Sequence, residues 1–150
     1  MSPAQEQFAR LKRYLARMER KAASDEGTDD MYSFFLHAWH LVDWASNDPA
    51  VNRTYGEVLA DTSNSIRSCK DIANRSKHLV LDRPPRSAPE TFKDYRVYCG
   101  NEANERQSEV SFRVTFPDGT TKDALTLARE VVADWESLLT RYGLSISSAP

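Results

Sequence analysis

The chain has 150 residues, of which 40% are hydrophobic and 28% charged, and its formal net charge is -2. This is the composition of one globular domain; it excludes a disordered chain and argues against a polyanion binder that works by bulk charge. No window approaches ~18 apolar residues, so no membrane span is expected, and Met1-Ser2-Pro3-Ala4-Gln5 has no apolar signal core.

Charge is distributed unevenly. Residues 1–24 carry six basic and two acidic side chains, residues 25–65 one basic and eight acidic, and residues 66–96 eight basic and four acidic. A near-neutral total can therefore conceal a basic face. Cys69 and Cys99 belong to no CxxC pair, which reads as two reduced thiols in a cytoplasmic protein.

A first helix is expected from Pro3 to about Ala23. Ser2 is placed as its N-cap, Pro3 sits where N1 prolines sit, and Gln5 can close a capping box. Phe8, Leu11, Leu15, Met18 and Ala22 form its apolar stripe, and most other positions are Arg or Lys. Ser24–Asp30 is acidic and contains glycine, which predicts a break.

The second helix is expected from about Asp30 to Asn47, ended by Asn47-Asp48-Pro49. Met31, Phe34, Phe35, Ala38, Leu41, Val42 and Ala45 share one broad face, Trp39 extends it, and Trp44 lies beyond the other edge. A helix so nearly encircled by apolar groups is expected at the centre of the fold.

A third helix is expected to start near Glu57–Thr62 and run to His78, with Leu59, Ile66, Cys69 and Ala73 on one side. Residues 83–90, with three prolines in eight positions, predict an exposed connector. Two strands follow: Phe92–Cys99, and the alternating run Val110–Phe116, with a polar loop between them and a turn at Pro117-Asp118-Gly119 after them. The last helix is expected over Lys122–Tyr142, closed by Gly143 as a left-handed cap with Leu144 behind it. Residues 145–150 read as a loose tail. The fold class is thus mainly α: four helices forming a bundle, with a β-hairpin between the third and the fourth, all in one domain.

The sequence has no Gly-rich phosphate loop, HExxH or GxSxG motif, and no cofactor is implied. Two polar groupings remain. His37 and His40 are three residues apart and share a helix face with Ser33 and Trp44. They could reach one metal ion if a carboxylate such as Asp71 or Asp43 joined them. The alternative is that their ring nitrogens find hydrogen-bond partners between helices. The second grouping is Arg67, Asp71, Asn74 and His78, spaced 4, 3 and 4 and so within about 60° around a helix, with Lys70 and Lys77 beside them. A cation, a carboxylate, an amide and an imidazole in one stripe have the parts for proton transfer or for gripping phosphate. The alternative is a solvated face with local ion pairs.

The run Cys69-Lys70-Asp71-Ile72-Ala73-Asn74-Arg75-Ser76-Lys77-His78, closing a helix of a small bundle, resembles the HEPN superfamily. The likeness covers about a third of the chain. His78 matches the signature histidine near a helix end. The signature arginine, four to six residues upstream in the family, has no counterpart: two residues separate Arg75 from His78, and ten separate Arg67 from it. The resemblance implies a dimeric, metal-independent ribonuclease or an inactive relative, in a prokaryotic toxin or phage-defence setting. It would have His78, Asn74 and Asp71 at the reaction centre and Arg67, Lys70, Arg75 and Lys77 on RNA phosphates. Trp39-His40-Leu41-Val42-Asp43-Trp44 and Asn74-Arg75-Ser76-Lys77-His78 are also similar to a group of uncharacterised bacterial and phage proteins. The competing expectation is a non-catalytic interaction module, in which the exposed rings and the hairpin edge meet a protein partner.

Overall fold

A computed structural model describes residues 1–21, 25–77, 91–99, 108–116 and 118–147; for residues 21, 25–28, 75–77, 91–99 and 108–112 it describes the backbone alone. Among the described residues the order is α1 (Pro3–Lys21), α2 (Asp25–Ser46), α3 (Tyr55–Asp61), α4 (Asn64–Lys77), β1 (Thr91–Cys99), β2 (Ser108–Thr115), β3 (Thr121–Asp123) and α5 (Ala124–Arg141). The protein is mainly helical, with a small antiparallel sheet in the order β1-β2-β3. The expected connector at 83–90 and the body of the loop at 100–107 lie outside the described residues.

The helix ends follow local chemistry. Ser2 and Gln5 form the expected box: Gln5 N–H donates to Ser2 Oγ at 3.4 Å and Ser2 N–H to Gln5 Oε1 at 2.6 Å. Asp48, which is buried, then accepts from Ala4 N–H at 2.9 Å and from Ala50 N–H at 2.9 Å, tying the start of α1 to the turn after α2. At the far end Gly143 has φ +88°, its N–H donates to Thr140 O, and Leu144 N–H donates to Leu139 O. This is the paired Schellman closure expected from Gly143 and Leu144.

Three expectations are corrected. The acidic stretch predicted as a break at Ser24–Asp30 is helical from Asp25, since α2 begins there; its acidic side chains suit the first turns of a helix. The third helix is two helices, so there are five among the described residues. Thr54 and Glu57 form a reciprocal capping box that starts α3. Thr62 and Ser63 end it and start α4, with Ser63 Oγ accepting from Ile66 N–H at 3.2 Å. Thr62, Ser63, Asn64 and Ser65 in succession offer side-chain bonds that compete with a continuous helix. Finally, β3 was not anticipated. Gly119 N–H bonds to Phe116 O and Phe116 N–H to Thr120 O, so the expected turn folds the chain back and Thr121–Asp123 pairs with Arg113–Thr115. The last helix begins two residues later than expected, at Ala124, with Asp123 as N-cap.

The second helix is central as its apolar girdle requires: α2 touches α1, α3, α4 and α5. Phe34, Phe35, Ala38 and Leu41 are fully buried, with Trp135 of α5 among the same core. The Trp135 indole N–H donates to Ala38 O at 3.0 Å, so the largest core side chain has its one polar atom satisfied. Cys69 is a buried free thiol, and burial pushes its pKa up, which makes it inert packing rather than a nucleophile. No helix among the described residues is long and apolar enough to cross a membrane.

Candidate functional site on helices α1, α2 and α4

On α4 the predicted stripe does not open as a unit. Arg67 turns back onto α3: its guanidinium donates to Thr62 Oγ1 at 3.2 Å and to the carbonyls of Leu59 and Ala60, each at 3.3 Å. It satisfies a helix C-terminus, where the last carbonyls lack partners and the dipole favours a cation. Asp71 is 4% exposed and is engaged in an interaction, so it is not an open carboxylate. Lys70 holds its ammonium 5.3 Å from the centroid of Trp39 on α2. Both Lys70 and Asn74 are half-buried. Arg75 and Lys77 belong to α4, but only their backbone is described, and His78 lies outside the described residues. The structure therefore leaves Lys70 and Asn74 half-buried one turn apart, turns Arg67 onto α3 and buries Asp71.

The histidine pair sits elsewhere, on the side of α2 that meets α1. His37 stacks on Tyr14, with centroids 5.1 Å apart and 13° between planes. His40 meets His37 edge-on at 6.4 Å. Gln7, 1% exposed, places its side-chain nitrogen 3.0 Å from His37 Nδ1, and Arg10 donates to Gln7 Oε1 at 3.0 Å. A guanidinium can only donate, so the Gln7 oxygen must face Arg10 and its NH2 must face the ring. Nδ1 then accepts, and His37 is the neutral tautomer with its proton on Nε2. Burial first, then the positive charges of Arg10 and His40, hold its pKa below the ordinary imidazole value. The interhelical reading of this pair thus describes His37. Among the described residues no group of three or more His, Cys, Asp or Glu is placed to hold a metal ion.

Sequence reading missed the surroundings of these rings. Arg10, Arg13 and Arg17 on α1 are exposed. Arg17 lies over Tyr14 at 5.3 Å and 3.7 Å from Asp30 of α2. The signal is present in the sequence as arginines three and four residues apart, Arg10, Arg13 and Arg17.

No family model, curated protein or solved structure matches this chain.

Proposed function

We propose that the chain is a HEPN-like, cytoplasmic, nucleic-acid-associated protein of a prokaryotic defence or toxin setting. On this reading α1, α2, α4 and α5 are the four-helix bundle, α3 is an added turn between α2 and α4, and the working unit is a homodimer. The observation that supports it is on α4. With Arg67 and Asp71 turned inward, Lys70 and Asn74 remain partly open, and His78 follows Asn74 at the same spacing of four. On this reading Lys70 supplies a cation for phosphate and Asn74, one turn on, an amide to orient, while His78, four residues further in the sequence, supplies an imidazole to move a proton to or from a ribose oxygen. Arg75 and Lys77 would add positive charge for RNA phosphates on this reading. Asp71 moves from the reaction centre to the supporting structure.

The test is RNA binding and cleavage in EDTA by the wild type, Lys70→Ala and His78→Ala. Cleavage lost with His78 supports the ribonuclease. Binding without cleavage, weakened by Lys70→Ala, supports the inactive relative. Neither activity, in protein of verified fold, favours the second reading, a protein-interaction module. That reading draws on Trp44 and Tyr55, which are 37% and 44% exposed.

A further inference from the structure

We infer that the outer ridge of α2, together with the arginine row of α1, is a stacking platform for single-stranded nucleic acid. The inference rests on the reading of the protein as nucleic-acid-associated, but it assigns binding to a different face from the α4 residues.

The argument begins with the residue types on α2. An ordinary bundle helix turns charged side chains outward. Here Leu36, Trp39 and His40 are half-buried and Trp44 is 37% exposed, so the ridge is largely rings. At 100° per residue His37, His40 and Trp44 fall within about 60° of arc on the α1 side, and Trp39 borders the α4 side. On α1, Arg10, Arg13 and Arg17 likewise fall within about 60°, stepping along the axis by about 4.5 and 6 Å. The two rows are adjacent, because Tyr14 stacks on His37 and Arg17 reaches Asp30. Lys70 marks the opposite border, over Trp39. Flat rings in the middle and cations along both edges match a strand that presents bases inward and phosphates outward. Each base has a π-face, so such a surface tolerates sequence. Arginine suits the edge because it meets phosphate with a planar fork and also stacks. The neutral His37, with its Nδ1 committed to Gln7, adds a ring without adding a charge. A duplex hides its bases and gains only the edge cations. The ridge also carries carboxylates: Asp43 is exposed beside the rings, and Asp29, also exposed, shares the same side of α2 nearer its start.

The experiment is fluorescence titration of the full chain at low and moderate salt with a dodecamer of U, a dodecamer of dT and a duplex of equal length. Trp135 is fully buried, so quenching reports on Trp39 and Trp44. Trp44→Ala and Arg13→Glu change exposed residues, and circular dichroism checks that they fold. The expected result is quenching by one or both single strands and weaker binding of the duplex. Affinity should fall roughly tenfold in each variant, with the salt slope reduced by about 0.7 in Arg13→Glu. U bound over dT assigns the platform to RNA, and the reverse to DNA. Single-strand binding unchanged within twofold in both variants overturns the platform; if that binding is lost in Lys70→Ala or His78→Ala, the α4 reading stands without it. No binding by the wild type overturns both.

Discussion

Gln7 of α1 donates its side-chain amide to Nδ1 of His37 on α2, and that bond exists only while His37 is neutral. The donor is held in its orientation by Arg10, and the ring is backed by Tyr14. The α1–α2 seam therefore carries a titratable clasp. The folded-state pKa of His37 is lowered, while in the unfolded chain it returns to about 6.5. The unfolded state then takes up the proton more readily. Stability is at its full value above about pH 6.5 and declines as pH falls through that value toward the folded pKa. Urea denaturation at pH 7.5, 6.5 and 5.5 is expected to show a midpoint that drops over this range, and His37→Asn should flatten the drop. Carboxylates with lowered pKa values, such as Asp48 and Asp118, act further into acid, so they leave this window clear. An unchanged slope in His37→Asn would remove the clasp from the account.

Arg67 separates a folding role from a binding role. Three of its hydrogen bonds close the end of α3. Arg67→Ala is expected to cost about 1–3 kcal/mol of stability, because it removes charge-assisted bonds to carbonyl groups. It should leave nucleic-acid affinity within about twofold, as measured below the melting transition. A large affinity loss at unchanged stability would return Arg67 to the binding surface, where its sequence position first put it.

The contrast between Arg67 and Gly143 shows what was legible in the sequence. Gly143, Leu144, Ser2 and Gln5 act within a few residues of themselves, so spacing alone specified their geometry. The periodicity of α2 likewise placed it at the centre, because apolar residues all round a helix have few other solutions. Arg67 and Asp71 have the right phase for an open stripe, but phase gives an angle and not a neighbour. The missing neighbour was α3, which the Thr54-x-x-Glu57 capping box announced and the weak hydrophobic pattern of residues 55–61 concealed. The α1–α2 surface was hidden for a related reason. Two rows on separate helices become one surface only through packing, and the Gln7–His37 contact spans thirty residues. β3, three residues long, has too short a pattern to stand out from the turn before it.

Asp43 offers a test in the opposite direction from the alanine variants. It is exposed on the ridge of α2, where its charge opposes any polyanion. Its hydrogen-bonding partners act on the backbone: Ser46 Oγ and Asn47 Nδ2 both donate to the Asp43 carbonyl oxygen, at 3.1 and 2.9 Å. Asp43→Asn therefore keeps the end of α2 intact. It is expected to raise single-strand affinity about two- to fivefold at low salt, with the gain shrinking as salt screens it. The same titration measures both quantities. An affinity that falls, or a gain that persists at high salt, would mean that the carboxylate does something other than repel.

The C-terminal segment gives the last prediction, and it reverses an expectation. Residues 145–150 read as a loose tail from their small and polar side chains, yet 145–147 are fastened to α1. Gln5 Nε2 donates to Ser145 O at 2.6 Å and Lys12 Nζ to Ser147 O at 2.8 Å. Between them Ile146 packs against the core, and Leu144 just before is 7% exposed. The segment is short and polar on average, but its apolar residues alternate with serine, as in an extended strap with one inward face. Both bonds use the carbonyl oxygen, so loss of the Ser145 hydroxyl leaves them in place. Ser145→Ala is expected to change stability by less than about 0.5 kcal/mol. Ile146→Ala should cost about 1–2 kcal/mol through lost burial alone. Removing residues 144–150 should cost more, about 3 kcal/mol, because it exposes the α1 surface that Leu144 and Ile146 cover and leaves the Schellman closure at Gly143 without its second bond. Denaturant midpoints for the three variants decide it. An Ile146→Ala variant as stable as the wild type would restore the tail to a passive role.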